Sequence, residues 1–111
     1  MDDYNKVLKE TIKNCSILGT LINVSGFRNI GKSTMLVQFA KENKHLVVVP
    51  NKTIAQQFRK QFDYYSIFSQ DDLCGRFIAS VVFDEGIDLD KLIEENYNRD
   101  KEFKIITGYI N

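Results

Sequence analysis

The stretch Gly26-Phe27-Arg28-Asn29-Ile30-Gly31-Lys32-Ser33-Thr34 lies between two segments of different hydrophobic pattern. Residues 17–24, before it, form a short apolar run rich in residues that favour strands, which predicts a β-strand followed by a turn. After it, an apolar stripe from Met35 to Ala40 has helical spacing and predicts a helix that begins near Lys32. A strand, a glycine-rich turn and a helix in this order are the beginning of an α/β fold.

The spacing within this stretch favours the binding of a polyphosphate. A glycine, four free positions and then Gly-Lys-Ser form a turn whose backbone N–H groups converge at the positive end of the following helix. We expect residues 26–34 to surround the phosphates, with Lys32 reaching the β and γ phosphates and the Ser33 hydroxyl binding Mg²⁺. The alternative is an ordinary glycine-rich turn in which Lys32 and Ser33 are solvated.

A second candidate element is the acidic pair that follows another apolar run. Residues 78–83 are nearly all apolar and end in Asp84-Glu85-Gly86, as a buried strand that ends in acids would. We expect Asp84 to hold the magnesium ion from the tip of this strand, and Glu85 to act as the general base that activates water. The alternative is a pair of acids that only end a strand.

The remaining pattern alternates strands and helices along the whole chain. We predict helices over residues 3–14 and 89–97, and one that Thr53 caps and that continues through Phe62. Asp71 and Asp72 precede a possible helical turn through Leu73 and Phe77. Strands are predicted over 45–49, 64–68 and 103–108, and the unbroken apolar run 46–49 indicates a strand buried on both faces. The fold class is therefore α/β with a mainly parallel sheet. We expect one domain over residues 1–111, with residues 1–15 packing on its core as a helix.

The composition bears on whether the chain binds nucleic acid or membranes and on the compartment in which it works. The chain has 111 residues, 43% of them hydrophobic, and 15 basic residues balance 15 acidic ones. A net charge of zero gives no global attraction to nucleic acid or to a membrane surface. Two distant cysteines without metal-ligand spacing indicate free thiols in a reducing compartment. We expect no membrane segment and a location in the cytoplasm of a bacterium or of a phage-infected host cell.

At the two phosphate-site stretches the chain resembles the P-loop NTPases. The pair Asp84-Glu85 is similar to the branch with a catalytic glutamate and an additional strand, which includes helicases, recombinases, AAA+ proteins and phage DNA-packaging terminases. The resemblance implies a three-layer sandwich with a four- to five-stranded sheet and helices on both faces. It also implies a strand order in which the first strand lies beside the last, followed by the acid-bearing strand and then by the strand 45–49.

Two weaker features resemble helicase and terminase cores in particular. Residues 46–52 followed by Ala55-Gln56-Gln57 are similar to the strand-Pro-Thr segment that helicases place along nucleic acid. Residues 105–108 look like the strand whose Thr or Ser senses the γ-phosphate, which would assign that role to Thr107. The alternatives are a plain buried strand ended by Pro50, and a threonine that only favours strand structure.

The resemblance leaves three functions open. The first is a Mg²⁺-dependent ATPase acting in a nucleic-acid process, with DNA or RNA as partner; ATP is expected rather than GTP because no Asn-Lys-x-Asp pattern is present. The second is a nucleotide switch or accessory module that docks on a larger motor without turnover. The third, a small-molecule kinase, is disfavoured because no arginine-rich lid segment follows. No arginine finger is recognisable, although Arg28 and Arg99 are candidates, so we expect a homo-oligomer or a larger protein to supply one.

Overall fold

A computed structural model describes residues 2–19, 21–23 and 31–110 and contains four α-helices and five β-strands within these ranges. The helices are α1 (Asp2–Leu18), α2 (Lys32–Asn43), α3 (Lys52–Phe62) and α4 (Leu89–Tyr97). The strands are β1 (Ile22–Asn23), β2 (Leu46–Val49), β3 (Ile67–Ser69), β4 (Ser80–Phe83) and β5 (Lys104–Ile110). The chain is thus α/β, as predicted.

The strands form one sheet in the order β1-β5-β4-β2-β3, and every neighbouring pair is parallel. The first four positions are those implied by the resemblance: β1 lies beside the last strand, then the acid-bearing β4, then β2. The fifth strand, β3, extends the sheet beyond β2. Parallel strands bring their carboxyl ends to one edge, and the first turn of α2 lies at that edge, since Ser33 is hydrogen-bonded to Asp84 directly after β4.

Two apolar clusters cover the two faces of the sheet. Val47 and Val49 of β2 pack into one cluster together with buried residues of α1, α2 and α3. Val48 points the other way, into a second cluster that contains Leu92 of α4. All three valines are completely buried, which confirms the prediction that β2 is covered on both sides. Helices on both faces are compatible with a three-layer sandwich.

The boundary between the first helix and the first strand differs from the prediction. Residues 17 and 18 belong to α1, which continues four residues beyond the predicted end at residue 14. Gly19, with φ of 69°, follows the last helical residue, and a glycine in this left-handed conformation is a common end of helices. The apolar run 17–24 therefore contains both a helix end and β1, which hydrophobicity alone did not separate. In α1, Leu8 and Ile12 are buried against the core.

Two other local predictions need correction. The N-cap of α3 is Asn51 rather than Thr53, since the Asn51 side chain accepts a hydrogen bond from the Ile54 amide at 2.9 Å. The helical turn predicted through Leu73 and Phe77 does not form, and a 3₁₀ turn, Gln70–Asp72, lies just before these residues. The predicted helix 89–97 agrees with α4 at both ends, and the strand predicted over 64–68 is β3, displaced toward Ser69.

No helix in the described part of the chain is long and apolar enough to cross a membrane.

Candidate functional site

The candidate site lies where the first turn of α2 meets the end of β4. Gly31 precedes α2 in the left-handed conformation, with φ of 77° and ψ of 33°, which costs a residue with a side chain about 1–2 kcal/mol. Because glycine has no side chain to cap the helix, and the first turn contains no acid, the turn keeps its positive partial charge. The Gly31 carbonyl accepts the first helical hydrogen bond, from the Met35 amide at 3.0 Å.

Ser33 and Asp84, which are 51 residues apart in sequence, meet at this junction. The Ser33 hydroxyl donates a hydrogen bond to Asp84 Oδ2 at 2.7 Å. The other carboxylate oxygen, Oδ1, accepts from the Glu85 amide at 2.9 Å. The Asp84 amide donates to the Val48 carbonyl at 2.9 Å, which fixes the residue at the end of the sheet. The structure therefore brings together the two residues that the sequence assigned to one magnesium ion.

The environment of Asp84 disfavours its negative charge. The residue is only 6% exposed. Burial raises the pKa of the Asp84 carboxyl above its usual value, and the hydrogen bonds from Ser33 and from the Glu85 amide offset part of this effect. A cation bound beside Asp84 would remove the cost of burying the charge.

Lys32 and Glu85 form an ion pair across the same junction. Lys32 Nζ lies 2.7 Å from Glu85 Oε1, and the two side chains are 12% and 35% exposed. The lysine predicted to bind phosphate and the glutamate predicted to activate water thus contact each other. In this arrangement neither side chain is free for the role that the sequence assigns to it.

A cleft of about 260 Å³ opens beside this junction. Its described lining comprises Gly31, Lys32, Ser33 and Thr34 of the motif, Phe58, Gln61 and Phe62 of α3, and Glu85. Larger cavities of about 480 Å³ and 600 Å³ lie between α1 and α2 and beside the C-terminal end of α4. Neither is lined by a described residue of the motif or by the acidic pair, so the smaller cleft is the candidate site. The sequence predicted α3 but gave no signal that α3 would line this cleft.

Of the other predicted phosphate-binding residues, the structure describes only Thr34. Gly26, Phe27, Arg28, Asn29 and Ile30 lie outside the described residues. Thr34 lines the cleft beside Ser33.

Thr107 is completely buried within β5. It is paired with Val82 of β4, which lies two residues before Asp84 in the sequence. The assignment of Thr107 as a sensor of the γ-phosphate stays a prediction. Tyr109 of β5 contacts the motif helix directly, since its hydroxyl donates a hydrogen bond to the Lys32 carbonyl at 2.8 Å. Sequence reasoning missed Tyr109, because a contact across 77 residues leaves no local pattern.

The segment that resembles the helicase strand-Pro-Thr element lies near the acidic pair. A Cβ added at Gly86 would be 3.2 Å from Cγ of Pro50, so the turn that follows Glu85 packs closely on Pro50. Gly86 also has φ of 94°, a conformation that strongly favours glycine. The end of β2 and the end of β4 are therefore in direct contact at the edge of the sheet that carries the site.

Arg99, raised by the sequence as a candidate arginine finger, lies between α4 and β5 and hence at the opposite edge of the sheet from Asp84. Its guanidinium donates to the Leu73 carbonyl at 3.1 Å and to the Arg76 carbonyl, and pairs with Glu95 at 3.3 Å. These contacts hold Arg99 within its own chain. Arg28, the other candidate, lies outside the described residues.

Compared with protein-family models, with curated proteins and with solved structures, the chain matches none of them.

Proposed function

We propose that this chain binds ATP through a P-loop at the start of α2 and hydrolyses it with the help of Mg²⁺, as part of a nucleic-acid process. The observation that supports this best is the 2.7 Å hydrogen bond from the Ser33 hydroxyl to the Asp84 carboxylate. It joins the serine of a Gly-Lys-Ser motif to the acid at the tip of a neighbouring parallel strand. A glycine-rich turn without a phosphate role would not require that pairing.

The phosphates would lie against the first turn of α2. The backbone amides of this turn carry the positive end of the helix dipole, and Lys32 supplies a full positive charge beside them. Lys32 is the first residue of α2, so its ammonium group and the amides of this turn would contact the same phosphates. The resulting site suits a group with several negative oxygens, such as a triphosphate.

The residues present fit a magnesium ion. Among the described residues, no group of three or more His, Cys, Asp or Glu could hold a metal. Mg²⁺ needs only one or two protein oxygens when phosphates and water complete its shell, and the Ser33 hydroxyl and the buried Asp84 carboxylate are two such oxygens. When bound, the ion would neutralise charge on the phosphates.

Glu85 is the proposed general base. It would take a proton from the water that attacks the γ-phosphorus, while the bond to the β–γ bridging oxygen breaks and yields ADP and phosphate. A bound triphosphate would compete with Glu85 for Lys32, so binding would free the carboxylate for this step. Thr107 as a γ-phosphate sensor remains part of the proposal, on the resemblance alone.

The second candidate function is a nucleotide-dependent switch that docks on a larger motor without turnover. The Lys32–Glu85 ion pair favours this reading, because nucleotide binding would exchange one set of contacts at the site for another even if no bond is broken. An arginine supplied by a second copy or by another protein would then decide whether hydrolysis follows.

The test is ATP turnover by the purified protein with Mg²⁺, measured alone and with single-stranded and double-stranded DNA and RNA. Glu85→Gln is expected to abolish turnover while nucleotide binding survives, and Lys32→Ala to weaken binding. Glu94→Gln, which removes the same charge from an exposed position on α4, is the control. Turnover that nucleic acid stimulates supports the ATPase; tight binding without turnover under any condition supports the switch. Absence of ATP binding contradicts both.

A further inference from the structure

Tyr109 occupies a central position among the elements that build the site. It lies near the end of β5 and is paired with Ile22 of β1, the strand that leads toward the glycine-rich stretch. Its ring is only 1% exposed and packs into the cluster shared by the sheet, α1 and α2. A tyrosine buried to this extent needs a hydrogen-bond partner for its hydroxyl, and that partner determines what the side chain does.

The partner is the carbonyl of the first residue of α2. The Tyr109 hydroxyl donates to the Lys32 carbonyl oxygen at 2.8 Å. A carbonyl oxygen has two lone pairs, so this bond can be made in addition to the one within the helix. Burial, followed by the charges of Asp84 and Glu85, raises the pKa of Tyr109 far above its usual value, and its hydroxyl therefore remains a donor.

This bond ties the first turn of α2 to the sheet at the residue where binding groups emerge. The Lys32 ammonium and the Ser33 hydroxyl both start from this turn, and Gly31 before it provides no side-chain contact. We propose that Tyr109 is a positioning residue for the phosphate site: its hydroxyl fixes the first turn of α2 so that Lys32 and Ser33 face the nucleotide. The expected effect on nucleotide affinity rests on the proposed function, but the effect on the first turn of α2 can be measured without nucleotide.

The substitution that tests it is Tyr109→Phe, which removes one oxygen and leaves the buried ring in place. The chain also offers a matched control. The Tyr64 hydroxyl, just after α3, donates to the His45 carbonyl at 2.6 Å and lies 3.4 Å from the Ala40 carbonyl, in the second half of α2 and away from its first turn. Each substitution should lower the ratio of folded to unfolded protein about fivefold in urea unfolding, the usual net effect of losing one hydrogen bond.

The two variants should differ at the site. The Met35 amide donates the first hydrogen bond of α2, so exchange at Met35 and Leu36 reports on this turn. In Tyr109→Phe, exchange at these two amides should become about fivefold faster than the global loss of stability alone accounts for, and in Tyr64→Phe it should follow the global loss only. The dissociation constant for ATP with Mg²⁺, measured by calorimetry, should rise about five- to tenfold only in Tyr109→Phe.

The outcomes separate the two proposals. Exchange at Met35 and Leu36 that changes no more in Tyr109→Phe than the global loss of stability requires overturns the positioning role, whether or not nucleotide binds. Equal ATP affinity in the wild type and Tyr109→Phe overturns it as well. Faster exchange in Tyr109→Phe, with no ATP binding by the wild type, supports the positioning of the turn and contradicts the proposed function instead.

Discussion

Replacing Glu85 by Gln should make the protein bind ADP more tightly, because it removes the partner that holds Lys32 in the nucleotide-free chain. Lys32 Nζ and Glu85 Oε1 are 2.7 Å apart, and a bound phosphate needs the same ammonium group. Binding therefore has to break this ion pair first. Whatever free energy the pair contributes is subtracted from the affinity for nucleotide.

The burial of the Lys32–Glu85 pair determines how much free energy it contributes. Exposed ion pairs contribute about 0.2–1 kcal/mol, while hydrogen bonds to charged groups contribute about 1.5–3 kcal/mol when they are buried. With side-chain exposures of 12% and 35%, this pair lies between the two, and we take about 1 kcal/mol. Since about 1.4 kcal/mol corresponds to a tenfold change, the dissociation constant for ADP should fall about fivefold in Glu85→Gln.

The assay is titration calorimetry with ADP in the absence of Mg²⁺, so that neither hydrolysis nor the metal contributes. Glu94→Gln controls for the change in net charge and should leave the affinity unchanged. A double-mutant cycle of Lys32→Met and Glu85→Gln in urea unfolding measures the pair directly and should give a coupling of about 1 kcal/mol. Equal ADP affinity in the wild type and Glu85→Gln, or a coupling indistinguishable from zero, would refute the reasoning.

Three further results are expected. Asp84→Asn should raise the free energy of unfolding at neutral pH, because burial raises the pKa of Asp84 and makes its ionised form costly in the folded chain. The same substitution should abolish the effect of Mg²⁺ on ATP binding. Lower stability of Asp84→Asn in urea unfolding would contradict the first expectation. Gly108→Ala should destabilise the protein by about 1–3 kcal/mol in the same assay, because a Cβ there would overlap the ring of Phe83; a loss below about 0.5 kcal/mol would be incompatible with that packing. Burial lowers the pKa of His45, so the unfolded chain takes up its proton first as the pH falls below about 6.5, and stability should decrease through the lower folded pKa. His45→Asn, which can keep the contact with Ser80, should lack this decrease when unfolding is measured from pH 8 to pH 5. The same pH dependence in the wild type and in His45→Asn would exclude His45 as its cause.

The sequence predicted the parts of the fold that depend on local pattern. The unbroken run over residues 46–49 identified a strand covered on both faces, and β2 is such a strand. The strand order followed from the resemblance and is found for β1, β5, β4 and β2. The proximity of Ser33 and Asp84 was predicted on chemical grounds, because both were assigned to one metal ion, and the two side chains are in fact hydrogen-bonded.

Contacts between distant residues could not be predicted in the same way. The end of α1 depends on the backbone conformation of Gly19, which lies inside the mostly apolar run 17–24. The Tyr109 hydroxyl reaches the Lys32 carbonyl only because β5 lies between β1 and β4. The ion pair of Lys32 with Glu85 is likewise set by two separate elements, and the sequence had assigned the two side chains only to separate roles.

The most direct test of the account is calorimetric titration of ATP with Mg²⁺ into the wild type and into Lys32→Ala. Lys41→Ala, in the last turn of the same helix, is the matched control. We expect binding by the wild type and by Lys41→Ala, and a dissociation constant raised at least about tenfold in Lys32→Ala, because one hydrogen bond to a charged group is lost. No binding by the wild type, or equal affinity in all three proteins, would contradict the claim that the start of α2 is a nucleotide phosphate site.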